Sequence, residues 1–265
     1  MATTVTAATR VDGLVRALRL TASADAARMS GMDDLGTVLG VWSHPDDEAW
    51  LSAGIMAEAV RTGSRVVCVT ATRGELGTVD PVRWPLEGLA EVRTAEMQRC
   101  LELLGVTEHL WLDYPDGGCA DVAPEEAIGK LVSLMEEIRP DTVLSFGPDG
   151  MTGHRDHQTT CAWATEAFRR VGAPGARLLY ATKTPEFLEL WLPYLPPEVM
   201  MDPNAQIPST PASELAIDVD LPDDLLALKQ TALRAQASQI TPLLEEFGEE
   251  VFRAFCRWEF FRPAA

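Results

Sequence analysis

Between positions 38 and 48 the chain reads Val38-Leu39-Gly40-Val41-Trp42-Ser43-His44-Pro45-Asp46-Asp47-Glu48. The first half of this stretch is apolar and predicts a buried strand. The second half is polar and leads into an amphipathic run, Glu48 to Thr62, that predicts a helix. Proline and acids suit the first turn of a helix without any chemistry. His44 has no such explanation, and it follows a strand at the edge where open parallel sheets bind ligands.

A second corner of the same kind lies far downstream. An apolar run, Thr142 to Phe146, predicts a strand, and Gly153-His154-Arg155-Asp156-His157 follows it, ahead of a predicted helix over 158–170. Three of the four histidines of the chain fall in these two corners. His154 and His157 are three residues apart and share a face where the chain is helical. Two strand-to-helix corners that carry histidine and aspartate predict a metal site.

Strand-like and helix-like runs alternate between residues 36 and 182. Strands are predicted at 38–42, 65–70, 109–112, 142–146 and 177–182, and helices at 48–62, 89–104, 124–138 and 158–170. This alternation predicts βαβ units. We therefore expect an α/β protein with a Rossmann-like three-layer fold, a mostly parallel sheet and helices on both faces. The loops after the strands would converge at the carboxyl edge of that sheet.

The two ends of the chain differ from this central part. The first 35 residues contain one helical candidate, Val11 to Leu20. Seven prolines lie from Pro185 to Pro211, together with Phe187, Trp191 and Tyr194. A substrate-facing lid and packing over the sheet both explain these aromatic residues. Later, a strand is predicted over 215–219, a helix over 223–237 and an aromatic end over 252–261 that docks on the body.

We expect a single domain over residues 1–265. It comprises an N-terminal extension over 1–35, a Rossmann-like core over 36–182 and a C-terminal lid and packing segment over 183–265.

Composition narrows the classes of partner. The net charge is −18, from 22 basic and 40 acidic residues, which argues against binding to phosphate backbones and to anionic membrane surfaces. No apolar run reaches the roughly 18 residues of a transmembrane helix, and Met1 to Arg10 lack an apolar signal core. The five cysteines form no CxxC pair, which indicates reduced thiols. We expect a cytoplasmic protein that acts on a small molecule, with homo-oligomerisation left open.

Three segments carry a family resemblance. Ser43-His44-Pro45-Asp46-Asp47-Glu48 resembles the (A/S)HPDDE signature of the LmbE-like, or PIG-L-type, zinc-dependent N-deacetylases. Gly153-His154-Arg155-Asp156-His157 is similar to the GHxDH motif of that family, and Thr72-Arg73-Gly74-Glu75 to its TRGE segment. The resemblance covers residues 36–182. It implies a metal-dependent hydrolase that removes an N-acetyl or other N-acyl group from an amino sugar or a related small molecule.

The resemblance also implies a metal site. The positions that match the ligands of the family are His44, Asp47 and His157, and two imidazoles with one carboxylate suit Zn²⁺, although another divalent ion such as Fe²⁺ stays open. Asp46 matches the general base of the family. His154 matches the residue that, as a cation, stabilises the oxyanion.

Three further residues are assigned to the site on weaker grounds. Asp156 is expected to orient His154, although an acid at a helix start explains it equally well. Arg73 matches a substrate-binding arginine of the family. Asp116 lies where the family keeps polar pocket residues, although formation of the Asp-Gly-Gly turn is an equal explanation.

Two departures and two alternative functions remain. Thr152 stands where some members carry tyrosine, and Gln236 stands where a late AHxSQ segment carries histidine.

The same two-histidine, one-carboxylate set also serves non-haem Fe(II) oxygenases. The third hypothesis is a non-catalytic small-molecule-binding module on a Rossmann-like sheet, although no GxGxxG follows the first strand.

Overall fold

The structure is a computed structural model that describes residues 28–192, 200–202 and 204–264. In these residues eight strands form one sheet. They are β1 (Arg28–Ser30), β2 (Val38–Trp42), β3 (Val66–Thr72), β4 (Glu108–Tyr114), β5 (Thr142–Ser145), β6 (Arg177–Ala181), β7 (Ile217–Asp220) and β8 (Trp258–Pro263). Across the sheet the order is β1-β7-β8-β6-β5-β2-β3-β4. The predicted helix from Val11 to Leu20, like Tyr194, lies outside the described residues.

The sheet is mixed rather than mostly parallel. Strands β6, β5, β2, β3 and β4 run parallel to one another. Strands β1, β7 and β8 add antiparallel pairs on one side. The predicted α/β class is therefore confirmed, but the predicted mostly parallel sheet is wrong. The physical reason is that β8 comes from the aromatic end of the chain and enters between β6 and β7. A local apolar pattern predicts burial of such a segment but not its pairing partner.

The helices form two packing groups. The longer helices of the described residues are α1 (Asp47–Arg61), α2 (Leu89–Leu104), α3 (Pro124–Ile138), α4 (Arg155–Val171), α5 (Pro185–Trp191), α6 (Asp223–Ala235) and α7 (Ala237–Phe255). Helices α1, α2 and α6 pack together, α7 joins them, and α3 packs against α4. The bounds of α2 and α3 agree with the prediction, and α4 begins three residues early, so that His157 lies in its first turn. Within the described residues, no helix combines the length and apolarity needed to cross a bilayer.

Helix α7 was not predicted. Pro242 lies inside it, and Gly248 interrupts it with φ 79° and ψ 167°. These two residues hide its helical period in the sequence. The five cysteines are all free and buried, in agreement with the predicted reduced thiols.

The order of the strands places one crevice at the centre of the parallel region. The chain leaves β2 for β3 and β4 on one side, then returns to β5 on the other side of β2. Val38 pairs with Thr142 and Gly40 with Leu144, so the two strands run side by side. In open α/β sheets, the crevice at such a reversal of strand order is where ligands bind. Both histidine corners therefore open at this crevice.

The aromatic residues of α5 belong to a second apolar cluster. Trp191 is 1% exposed and Phe187 is buried beside it, with Val251 and Phe260 in the same cluster. The ring of Trp191 meets that of Phe255 edge-on at 4.9 Å between centroids. Of the two explanations for these aromatic side chains, packing is the one the structure supports for Phe187 and Trp191.

Trp191→Ala should lower the free energy of unfolding by about 3–5 kcal/mol, because it empties a large buried volume. The matched control is Leu192→Ala, next in the chain and 55% exposed, which should change that free energy by no more than about 0.5 kcal/mol. Chemical denaturation of both variants measures the effect. A Trp191→Ala protein of unaltered stability but altered substrate preference would instead identify Trp191 as part of a lid.

Candidate metal centre

The turn between β2 and α1 holds an aspartate in an unusual backbone conformation. Asp46 has φ 95° and ψ −27°, a left-handed region that costs a non-glycine residue of order 1–3 kcal/mol. Its amide donates a hydrogen bond to Glu48 Oε2 at 3.0 Å. Its carbonyl accepts hydrogen bonds from the amides of Ala49 and Trp50. The surrounding bonds therefore hold the strained residue in place.

Donor atoms of three residues from the two corners lie close together. His44 Nδ1 is 3.2 Å from His157 Nε2 and 3.5 Å from Asp47 Oδ2. His157 Nε2 is 3.4 Å from Asp47 Oδ1. Three tetrahedral ligands at about 2.0–2.2 Å from one ion would lie roughly 3.3–3.6 Å apart. The two imidazole nitrogens, and the Asp47 oxygen that each one faces, are therefore at separations that suit one divalent ion of the size of zinc.

The remaining ring nitrogens of the two histidines have their own partners. His157 Nδ1 lies 3.1 Å from the carbonyl oxygen of Gly150. This contact places the proton of the neutral ring on Nδ1, so the lone pair of Nε2 is available to bind a metal. His44 Nε2 lies 3.1 Å from Asp116 Oδ1 and 3.3 Å from Asp156 Oδ2. Partners of this kind set the tautomer and orientation of a metal-binding imidazole.

The charges around His44 favour a cation. Burial alone would lower the pKa of His44, but hydrogen bonds to Asp116, Asp156 and Asp47 raise it well above its ordinary value. Burial alone would raise the pKa of Asp47, but the imidazoles of His157 and His44 lower it to about 2. These carboxylates therefore stabilise positive charge at this point, whether as a proton on the imidazole or as a metal ion beside it.

Two other sets of donors overlap with this triangle. They are His44, His154 and His157, and His44, Asp116 and Asp156. In the second of these sets, Nε2 of His44 has Asp116 and Asp156 as partners. In the first, Nδ1 of His154 accepts a backbone hydrogen bond, which leaves its Nε2 as the ligand atom.

The second corner has hydrogen bonds to its own backbone and to the loop after β4. His154 Nδ1 accepts from the amide of Asp156 at 3.1 Å, so the proton of the neutral ring sits on Nε2. Burial lowers the pKa of His154. The carboxylate of Asp156 accepts from the amides of Gly117 and Cys119 at 2.8 and 3.2 Å and faces His44. The carboxylate of Asp156 therefore lies beside His44, whereas its backbone amide is the group that bonds to His154.

The carboxylate of Asp46 lies beside the triangle without being one of its three donors. Burial raises the pKa of Asp46 to about 7, against the opposing charge of Arg93, whose Nη2 is 3.8 Å from Asp46 Oδ2. A group that titrates near neutral pH is suited to accept and release a proton.

The two predicted substrate-binding residues have different surroundings. Asp116 contacts His44, and the backbone amide of Leu76 donates to its Oδ2 at 2.9 Å. The guanidinium of Arg73 pairs with the exposed Asp113 at 2.7 Å and lies over the ring of Trp111. The structure therefore brings Asp116 to the histidines, whereas Arg73 has an exposed carboxylate as its partner.

Sequence reasoning did not assign a role at the site to Glu48 or Gln236. Glu48 is fully buried, its Oε1 accepts from Gln236 Nε2 at 2.7 Å, and burial raises its pKa to about 8. A first-turn acid usually faces solvent, so the motif gave no reason to expect this burial. Gln236, which replaces the histidine of the AHxSQ segment, therefore hydrogen-bonds to Glu48 in the turn that carries His44.

Arg93 was also missed, although the sequence carries a signal for it. It occupies the buried register of α2, four residues from both Leu89 and Met97. An arginine on the apolar face of a helix is rarely buried unless it has a specific partner.

The sequence profile of the PIG-L family, described as GlcNAc-PI de-N-acetylase, matches residues 39–168. This range includes both histidine corners. A 1D-myo-inositol 2-acetamido-2-deoxy-alpha-D-glucopyranoside deacetylase from Kineococcus radiotolerans is 30% identical, over 82% of this chain and 73% of the relative.

Solved structures share the fold. N,N'-diacetylchitobiose deacetylase from Pyrococcus horikoshii superposes with a TM-score of 0.61 at 22% identity, over 96% of this chain and 92% of that one. The 4-carboxy-2-hydroxymuconate hydratase GalB from Pseudomonas putida KT2440 superposes with a TM-score of 0.63 at 17% identity, over 87% and 96%. Likeness at this identity shows the fold alone, and the presence of a hydratase illustrates that a fold does not determine a reaction.

His157→Ala should lose most of its bound metal, because it removes one of the three donors of the triangle. Elemental analysis after loading with Zn²⁺ and dialysis measures the effect, with one ion per chain expected in the unaltered protein. His109→Ala is the matched control, since His109 contacts Thr70 Oγ1 at 3.1 Å on the β3–β4 pair and should keep the metal. Equal metal content in His157→Ala and the unaltered protein would refute this ligand set.

Proposed function

Because the chain belongs to the PIG-L family of GlcNAc-PI de-N-acetylases, we propose that it hydrolyses the acetamide of an N-acetylglucosamine glycoside to acetate and a free amine. The observation that carries the proposal is the donor triangle of His44, Asp47 and His157, together with the carboxylate of Asp46, which interacts electrostatically with Asp47 and His44. The Kineococcus relative is named for deacetylation of a glycoside of this class.

The ligands of the metal in this proposal are His44, Asp47 and His157. The ion is Zn²⁺, and Fe²⁺ is the competing occupant because it accepts the same donors. When bound, the ion supplies Lewis acidity that polarises the acetamide carbonyl and the attacking water. The fit rests on the distances between donors and on the carboxylates around His44.

Asp46 and His154 handle the proton and the developing charge. The Asp46 carboxylate accepts a proton from the attacking water and later gives it to the amine nitrogen as the C–N bond breaks. The Nε2–H of His154 donates a hydrogen bond to the carbonyl oxygen as that oxygen gains negative charge. This assignment uses the neutral tautomer that the backbone bond to Nδ1 imposes.

Asp116 and Arg73 bind the sugar in this proposal. Asp116 offers carboxylate oxygens beside His44. Arg73 reaches the sugar by exchanging its pairing with Asp113, which is 62% exposed, and a surface pair of this kind is worth about 0–1 kcal/mol. The substrate in this proposal is a small molecule. We also propose that the protein acts in the cytoplasm and that residues 1–265 form a single domain.

The two alternative functions lack support. The sequence relatives carry the names of deacetylases and not of oxygenases. A binding module would not need Asp46 in a strained conformation beside a complete donor set.

The proposal is tested by incubating the zinc-loaded protein with N-acetylglucosamine glycosides and measuring the released primary amine and acetate. A glucosaminyl inositol carrying the N-acetyl group and N,N'-diacetylchitobiose are the first two substrates. Oxygen consumption is measured in parallel with the Fe²⁺-loaded protein. Amine release without oxygen consumption is expected, and the reverse result would support the oxygenase alternative.

Separate substitution of the two adjacent aspartates by asparagine should affect activity and metal binding differently. Asp46→Asn should keep the metal and lose activity by about 10²–10⁴-fold, the usual contribution of a general base. Asp47→Asn should lose metal, because an amide oxygen is a weaker ligand than a carboxylate. Metal content and kcat/KM are measured for both variants. Loss of metal in Asp46→Asn with retention in Asp47→Asn would reverse the two assignments.

A further inference from the structure

Arg93 connects the turn between β2 and α1 to the loop after β3. Its side chain is buried on α2. Nη1 donates a hydrogen bond to the carbonyl of Gly74 at 2.8 Å, and Nη2 donates to the carbonyl of Pro45 at 2.5 Å. The first carbonyl belongs to the loop after β3 and the second to the turn after β2. A buried guanidinium therefore ties the TRGE segment to the HPDDE turn.

The peptide unit between Pro45 and Asp46 is held at both of its poles. Arg93 binds its carbonyl oxygen, and Glu48 Oε2 accepts its N–H. The orientation of this peptide unit sets φ of Asp46, which is 95°. A residue other than glycine keeps such a conformation only where its surroundings impose it. The two buried side chains on either side of the peptide unit impose it here.

Two glycines make room for the guanidinium. A Cβ on Gly74 would lie 2.3 Å from Arg93 Nη1, and a Cβ on Gly77 would lie 2.5 Å from the same atom. Gly74 also has φ 65°, so its backbone alone explains the glycine there. Gly77 has no such backbone requirement. The approach of Arg93 is thus the physical reason for a glycine at position 77.

We propose that Arg93 is a positioning residue for the deacetylation, which fixes the Pro45–Asp46 peptide unit and so directs the carboxylate of Asp46 at the reacting atoms. This inference rests on the proposed function, in which Asp46 transfers the proton. The bonds of Arg93 go to Pro45 and Gly74 and not to the three metal donors, and its Nη2 also lies 3.8 Å from Asp46 Oδ2, the carboxylate that it helps to position. Its loss therefore lowers kcat and leaves metal content unchanged.

Arg93→Met should lower kcat by about 10²-fold, since misplacement of a reacting group by about 1 Å costs that much. Amide hydrogen exchange should accelerate locally at residues 46–50, where the amides of Ala49 and Trp50 bond to the carbonyl of Asp46. Metal content and KM are measured on the same preparation.

Lys229→Met is the matched control. Lys229 is as deeply buried as Arg93 and also donates to a backbone carbonyl, that of Trp50, at 2.8 Å, while pairing with Glu259 at 2.7 Å. Its loss should reduce stability at least as much, but kcat of the folded protein should not change. Comparison of the two variants separates positioning from mere stabilisation.

Gly77→Ala perturbs Arg93 without replacing it. The added methyl group displaces the guanidinium from its two carbonyls, so kcat should fall in the same direction as in Arg93→Met and by a smaller factor. The double variant Arg93→Met/Gly77→Ala should have the kcat of Arg93→Met alone, because coupled residues are not additive.

Several outcomes would overturn the proposal: unaltered kcat in Arg93→Met, losses that multiply in the double variant, or faster exchange spread evenly over the chain. If Arg93→Met does not fold, kcat and local exchange in Gly77→Ala decide the question. If the unaltered protein releases no amine from any N-acetyl substrate, the proposed function fails. In that case, exchange at residues 46–50 still decides whether Arg93 fixes the turn.

Discussion

The parallel pairing of β2 with β5 is the constraint on which the site depends. His44 and His157 are 113 positions apart in the chain, and each follows one of these two strands. Because the strands are neighbours at the point where the strand order reverses, their polar ends share one crevice. If another strand lay between β2 and β5, the two corners would be about 10 Å apart, twice the usual spacing of neighbouring strands, and the donor triangle could not form.

Burial of so many ionisable groups requires partners for each of them, since an unpaired buried charge is strongly destabilising. Asp47, Asp116 and Asp156 share His44. The junction of α6 and α7 supplies further partners. Gln236 binds Glu48, Ser238 binds Glu96, and Gln239 donates to the carbonyl of Gly77. The C-terminal part of the chain therefore does more than cover the sheet, because it also satisfies polar groups behind the corner that carries Asp46.

The two arginines near the corner illustrate how environment separates roles. Arg73 lies on a partly exposed loop and pairs with a solvated carboxylate, an arrangement that is readily exchanged for contact with a ligand. Arg93 is buried and donates to two backbone carbonyls. Arg73 is therefore suited to contact a sugar, and Arg93 is suited to fix the backbone of the two loops that it joins. The shared fold with a hydratase is consistent with this view, since specific side chains rather than the sheet define the chemistry.

The sequence by itself determined the alternating strands and helices, the two strand-to-helix corners and the residues His44, Asp47 and His157 as candidate donors, because these are local patterns of polarity and motif. It also predicted α2 and α3 to their observed bounds. Only the tertiary structure decided that β8 enters the sheet antiparallel, that Asp156 faces His44, and that Arg93 and Glu48 hold the peptide unit before Asp46. Each of these depends on contacts between residues distant in the chain, and a local pattern specifies that a residue is buried but not which partner it meets.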